Sequence, residues 1–416
     1  MNKNGELAIH GGRPLGRRVF PVTQKHDLAE WRAVKSIFAR GEIHMTRGPE
    51  VMRLRETACR TFGMKHCVTV CNGTAAIHTA LAALGIGRGD EVITTPCTDM
   101  GTLIGILQLN AVPVFADVDP HTYMMTPATI EARITPRTRA ILVVHLSGLC
   151  ADMTGIMRVA RKCAIPVVED CAQSYMCTWK GRVAGTMGAI NCWSLNETKH
   201  IGAGDGGFIL TDDPALAARA DLFADKCYDR TGTSRRPFFA PMNYRLNTLV
   251  AGVCLEQFKK LRGVVARRTL IGGKLDKLLS GIDGITPRPI PAGCTATYLS
   301  YVFSFDSERM GVAGAEFARA LNLENSDRSW VRAFENYGVL SWPLFTDRPD
   351  DHHACGEHCP KYKGRIDFDL RNFPGVRQAY RHGILVGLDI GLRDRDLALM
   401  AAMIAKVARG YLARKG

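Results

Sequence analysis

The chain has 416 residues, 46% of them hydrophobic and 23% charged, with a formal net charge of +14. That balance excludes a disordered tail and leaves room for one large domain plus a smaller one. The basic residues are dispersed as pairs such as Arg17-Arg18, Arg235-Arg236 and Arg267-Arg268, so no nucleic-acid-binding stripe is expected, and no apolar run approaches the roughly 20 residues of a membrane helix.

Residues 1–40 read as an N-terminal arm. No apolar stretch follows a basic start, and the fourteen cysteines lack paired spacing. A reduced, cytoplasmic protein without signal peptide or disulfide framework is expected. Residues 41–256 read as the large domain, in which strand-like and helix-like segments alternate. Ala75 to Leu84 predicts a helix; Glu91 to Thr95, Val112 to Asp117, Ala140 to His145, Ile165 to Asp170 and Gly206 to Thr211 predict strands. Such βαβ alternation predicts an α/β fold with a mainly parallel sheet between helices. Residues 257–416 open with a long basic helix, pass through a strand at Tyr298 to Phe305 and end in a helix over Asp396 to Leu412, a smaller α+β domain. The stretch 346–364, rich in Asp, His, Pro and Gly, reads as a long loop, a kind that often carries function.

Three segments carry candidate chemistry. Asn72-Gly73-Thr74-Ala75-Ala76 lies between a strand and a helix; a glycine there lets backbone N–H groups approach an anion at a helix N-terminus, although a merely capped helix reads the same way. Val167-Val168-Glu169-Asp170 delivers Asp170 to the C-terminal edge of a buried strand, where open α/β sheets place ligands. A carboxylate there can pair with a cationic ring nitrogen, or simply cap the next turn. Lys199 sits in Ser194-Leu195-Asn196-Glu197-Thr198-Lys199-His200, just before the glycine-dense Gly202 to Gly207. Most lysines are solvated surface charges, but burial in such a loop would lower its pKa toward a nucleophilic amine.

The order of the three, glycine turn, acidic strand end, then lysine, resembles the DegT/DnrJ/StrS family of pyridoxal-phosphate-dependent sugar aminotransferases, which have the fold-type I architecture. The likeness runs from about Gly41 to Leu261 and takes in Gly89-Asp90-Glu91-Val92-Ile93, Pro113 to Asp119 and Asn243-Tyr244-Arg245. It implies that Lys199 holds pyridoxal 5'-phosphate as a Schiff base, the internal aldimine, and shuttles a proton during catalysis. Asp170 would pair with the pyridine nitrogen and Gln173 with the ring's phenolic oxygen. Gly73, Thr74 and Ser194 would bind the phosphate, and Asn243 would reach it from a second subunit of a homodimer. The implied reaction is a ping-pong transfer of an amino group from glutamate or glutamine to a keto sugar or keto cyclitol. A sugar dehydratase and a non-catalytic regulatory member are the alternatives, and the presence of Lys199 speaks against the dehydratases, which lack that lysine.

The sequence departs from this family in places. Where an aromatic usually stacks on the cofactor ring, the segment reads Pro96-Cys97-Thr98-Asp99-Met100-Gly101-Thr102, and Met100 is taken as the nearest equivalent, since a thioether packs on aromatic faces. Asp205 replaces a glutamate, and Asn72 stands where serine is common. The segment Asp351 to Pro360 is dense in Cys and His, but its spacing matches no standard zinc site, so a substrate-shaping loop is expected and no metal. His145 reads as a hydrogen-bonded core residue as readily as a catalytic one, and His200 adjoins Lys199 without an assigned role.

Overall fold

Residues 66–211 build one sheet from apolar strands, the first five of them joined by helices whose capping residues are in place. The computed structural model describes residues 6–16, 20–45, 48–230, 237, 239–326, 329–346 and 367–415. Its main sheet has seven strands: β1 (His66–Val70), β2 (Glu91–Thr94), β3 (Val112–Phe115), β4 (Thr138–Val144), β5 (Val167–Asp170), β6 (Ile190–Ser194) and β7 (Gly207–Thr211). The spatial order is β1-β7-β6-β5-β4-β2-β3. All run parallel except β7, which is antiparallel to β6 and β1. The expected α/β class with a mainly parallel sheet is thus what the chain forms, and β7 is the one reversed strand because it returns from β6 through a hairpin loop rather than a helix.

Helices α1 (Leu28–Arg40), α2 (Glu50–Phe62), α3 (Gly73–Ala83), α4 (Met100–Gln108), α5 (Met153–Lys162) and α6 (Pro214–Ala224) belong to this lobe. Side chains preceding several of them cap the free amides of the first turn: Asn72 accepts from Ala75 N at 2.8 Å, Asp99 from Gly101 N at 2.8 Å and Asp152 from Gly155 N at 3.0 Å. Strands β4 and β5 are buried along almost their whole length, as expected of strands covered on both faces. Beneath the β6–β7 hairpin, the Trp193 and Phe208 rings stack 5.0 Å apart with Phe62 against Trp193 at 4.9 Å.

Helix α7 (Thr248–Leu279) runs unbroken through positions 256 and 257, so the boundary expected there lies inside one helix that both lobes share. The C-terminal lobe is an antiparallel sheet of β8 (Ile285–Pro287), β9 (Ser300–Phe305), β10 (Val331–Ala333) and β11 (Gly383–Gly387), ordered β8-β9-β11-β10. It packs with α8 (Gly314–Glu324), α9 (Pro374–His382) and α10 (Asp394–Lys415). The described part of the N-terminal stretch lies against both lobes. Ala8 N and Leu15 N donate to the buried Glu324 carboxylate, and Thr23 N donates to Asp389, while α1 lies along α7. No helix among the described residues is long and apolar enough to cross a membrane. Of the expected loop at 346–364, residues 347–364, with the Cys- and His-rich 351–360, lie outside the described residues.

Candidate active site

The C-terminal ends of β1, β2, β4, β5 and β6 converge on one cavity of about 390 Å3, the edge at which parallel sheets bind ligands. Its lining includes Gly73, Thr74, Asp170, Gln173, Ser194 and Lys199, which are distant in sequence. Met100 is not among the lining residues; it packs against the hydrophobic core, and Asp99 and Gly101 on either side of it face the cavity instead. Asp99 is the N-cap of α4, and consecutive helical residues point about 100° apart, so Met100 and its neighbours present different faces. Asn243 is exposed and lines no part of its own chain's cavity.

Asp170 enters from the last position of β5 and is buried, 5% exposed. Ala172 N donates to one of its oxygens at 3.0 Å and Thr102 Oγ1 to the other at 2.9 Å. Burial pushes its carboxyl above the usual value, against those hydrogen bonds and the pull of Lys199. Lys199 stands on the connection between β6 and β7. Leu195 N to Gly206 O (2.8 Å), Ala203 N to Leu195 O (2.9 Å) and Glu197 N to Gly204 O (2.9 Å) tie this loop. Thr198 N closes a turn on Asn196 Oδ1 at 3.0 Å, a local bond that Asn favours. Gly204, at φ +80°, takes a backbone shape L side chains rarely adopt. Burial lowers the Lys199 pKa, opposed by Asp170 and then Asp99, so desolvation eases the loss of the proton that a nucleophilic amine must shed.

Gly73 is the first residue of α3, where helical geometry leaves N–H groups without intrahelical acceptors. A Cβ at Gly73 would lie 2.6 Å from Ser194 Cβ, so the close approach of helix and β6 requires glycine. Gln173 accepts from Ser147 N at 3.1 Å through its side-chain oxygen, while its amide nitrogen, which carries two N–H groups, also bonds the Tyr337 hydroxyl and has a second N–H for a ligand. Val144, Ala172 and Ile77 supply apolar lining. An anion-binding helix start, a buried carboxylate and a lysine on one cavity together fit a phosphate-bearing pyridine aldehyde.

Several contributors carry little linear signal. Thr102 holds Asp170 from α4, and Thr98 Oγ1 bonds Thr102 Oγ1 at 2.7 Å. Lys25 donates to the carbonyls of Lys199, at 2.6 Å, and of Glu197, bracing the lysine loop from the N-terminal stretch. Asn196, Thr198 and Asp205 also line the cavity, with Asn196 Nδ2 bonding Asp205 at 3.1 Å. The histidines are structural. His145 Nε2 donates to Glu169 at 2.8 Å while its Nδ1 accepts from Ala151 N. Buried His200, its pKa pushed down to about 3 by desolvation, bonds the Thr297 carbonyl.

A family model described as the DegT/DnrJ/EryC1/StrS aminotransferase family matches residues 25–348. Similar curated proteins include the L-glutamine:2-deoxy-scyllo-inosose aminotransferase of Streptomyces kanamyceticus, 34% identical over 340 residues, covering 77% of this chain and 79% of that protein. The spore coat polysaccharide biosynthesis protein SpsC of Bacillus subtilis (strain 168) is 36% identical over 377 residues, with 88% and 91% covered. The crystal structure of 3-amino-5-hydroxybenzoic acid (AHBA) synthase matches with a TM-score of 0.84 at 25% identity, covering 95% of this chain and 99% of that one. The chain belongs to the DegT/DnrJ/EryC1/StrS aminotransferase family and is an aminotransferase whose cofactor is pyridoxal phosphate.

Proposed function

We propose that this aminotransferase moves an amino group from glutamine, or glutamate, to the ketone of a keto sugar or keto cyclitol, with Lys199 as its catalytic residue. The observation that carries the assignment of residues is the meeting of Lys199 and Asp170 on one cavity beside the start of α3. The named activity of the Streptomyces kanamyceticus relative, glutamine to an inosose, supports the donor and the acceptor class.

Pyridoxal phosphate supplies an electron sink that stabilises negative charge at the substrate carbon beside the amine. The chain's own groups do the rest. Gly73, Thr74 and Ser194 receive the phosphate, with amides at a helix N-terminus and a hydroxyl. Asp170 holds a proton on the ring nitrogen by ion pairing; its desolvated carboxylate gains most when such a cation arrives. Gln173 has an amide N–H to donate to the ring oxygen. Lys199 Nζ would hold the aldehyde carbon at rest and, freed when the substrate amine takes its place, would carry the proton between the substrate's Cα and the cofactor's C4′ carbon. In the second half-reaction it returns a proton to the former ketone carbon.

The active unit in this reading is a homodimer in which Asn243 of one subunit reaches the phosphate bound by the other; its exposure and its position away from its own cavity support that role. The described cysteines are free thiols, which suits a reducing cytoplasm.

The holoenzyme is expected to absorb in the visible and to lose that band on addition of glutamine as the cofactor takes the amine. A protein that stays colourless with added pyridoxal phosphate, or whose band glutamine and glutamate both leave unchanged, refutes the reading. Lys199→Ala is expected to lower turnover by about 10^3-fold or more and to remove the visible band; near-wild-type turnover would remove Lys199 from its role.

A further inference from the structure

We infer that Arg288 is a positioning residue for the proposed reaction, holding the Leu146–Ser147 peptide so that Gln173 presents an amide N–H to the cofactor's ring oxygen. This deepens the proposed function and rests on the place given there to Gln173. Arg288 directly follows β8 in the C-terminal lobe and is buried, 8% exposed. Its Nη1 donates to the Leu146 carbonyl at 3.2 Å and its Nη2 to the Ser147 carbonyl at 3.1 Å. It forms no ion pair with any described residue, and desolvation pushes its pKa down to about 10. A buried charge with only carbonyls for partners is costly. Both carbonyls belong to one turn behind the cavity.

That turn follows β4 and is closed by Leu149 N donating to Leu146 O at 3.1 Å. Its central residues, Ser147 at φ +53° and Gly148 at φ +80°, are both left-handed, the type I′ shape that suits Asn-Gly and not serine. The two carbonyls flank Ser147, so the rigid guanidinium fork fixes both peptide planes that this strained residue joins. Leu146 O and Ser147 N–H belong to the same planar trans peptide and point in opposite directions. Holding the oxygen therefore aims the N–H, which donates to Gln173 Oε1 at 3.1 Å. Only the oxygen end of the Gln173 amide can face that donor, so its NH2 end is turned the other way. One of those N–H groups meets the Tyr337 hydroxyl; the other is left for the cavity that Gln173 lines. If the Leu146–Ser147 peptide rotates, the Gln173 amide can turn over and set a lone pair against the ring oxygen.

The test follows the visible band of the holoenzyme against pH. An N–H donated to the ring oxygen stabilises its negative charge, which is fullest once the nitrogen joining Lys199 to the cofactor has lost its proton. A correctly aimed Gln173 thus lowers the pH midpoint of the band. Gln173→Leu is expected to raise that midpoint by about 1 pH unit, tenfold in the dissociation constant, as for one hydrogen bond to a charged group. Arg288→Met is expected to raise it by at least about 0.5 pH unit, and by nothing further in the Gln173→Leu background. Ser147→Gly adopts φ +53° without strain and removes a hydroxyl that has no partner. Added to Arg288→Met, it is expected to restore the wild-type midpoint, whereas a through-space effect of the lost charge would persist in both backgrounds. If Arg288→Met does not fold, Arg288→Lys is measured in the same backgrounds, with a smaller rise expected because one ammonium cannot reproduce the fork. A midpoint that the Arg288 variant leaves unchanged, a shift that adds to that of Gln173→Leu, or one that Ser147→Gly fails to reverse overturns the inference alone. A midpoint unchanged in Gln173→Leu overturns the place of Gln173 in the proposed function and the inference with it.

Discussion

The carboxylates of Glu169 and Asp170 leave the same strand on opposite faces, as successive strand residues must, and their surroundings give them opposite characters. Glu169, wholly buried, accepts from Gly185 N at 2.8 Å, Met187 N at 2.7 Å, Gly188 N at 2.5 Å and His145 Nε2. Those donors hold its carboxyl below the usual range despite desolvation. Asp170 has fewer donors and a raised carboxyl. Because the folded state then binds a proton more readily than the unfolded chain, Asp170 erodes stability as pH rises from the unfolded carboxylate range through its raised value. Cofactor-free Asp170→Asn is therefore expected to melt above cofactor-free wild type at pH 7, with the margin vanishing in acid, where both side chains are neutral. Its turnover is expected to fall by about 10^2- to 10^3-fold, as when other preorganised electrostatic groups are removed. Calorimetric melts across pH with steady-state rates check both. A lower melting point at pH 7 would mean that Asp170 is paid for by contacts within the folded chain, not by the cofactor.

At the scale of elements, the closest constraint on the cavity is the packing of α3 against β6. The Cβ of Gly73→Ala would meet Ser194 Cβ at 2.6 Å, below any contact that real side chains make, so helix and strand must separate. The variant is expected to lose about 1–3 kcal/mol of stability by overpacking and to bind pyridoxal phosphate at least about tenfold more weakly. Gly87→Ala, with nothing within 4 Å of its added Cβ, is the matched control and is expected to change neither. Denaturant titration and cofactor equilibrium dialysis measure the pair; unchanged retention in Gly73→Ala would remove this helix start from the phosphate site. Elements were the level at which the sequence was most readable. Apolar runs located β2 to β5 and β7 to within a few residues, since strands buried on both faces read as continuous hydrophobic segments. Less readable was which residue of a helix's first turn faces a cavity. Met100 and Asp99 are adjacent, and the start of α4 sets which face each presents: Met100 is half-buried against the core and Asp99 lines the cavity. Thr102 and Lys25 escaped notice because each acts through hydrogen bonds formed across a long sequence separation.

At the scale of the whole molecule, α1 is covered by α7 on one side and leaves large apolar side chains open on the other. Leu28 is 64% exposed, Trp31 57% and Phe38 58%, and Trp31 and Phe38, seven residues apart, share a helix face. Grouped apolar exposure of this kind marks an interface more often than it marks a monomer's surface, and the homodimer proposed from Asn243 would cover it. Two variants separate assembly from cofactor contact. Trp31→Glu/Phe38→Glu places two charges on this face and is expected to elute as a monomer and to release pyridoxal phosphate on dilution, since the partner's phosphate contact leaves with the partner. Asn243→Ala is expected to remain dimeric and to bind the cofactor about 10- to 100-fold more weakly, the loss expected for one hydrogen bond to a charged phosphate. Sedimentation and dialysis read the two quantities independently. A double variant that stays dimeric rejects α1 as the interface, whereas an Asn243→Ala dimer with unchanged cofactor affinity confines phosphate binding to the residues of a single chain.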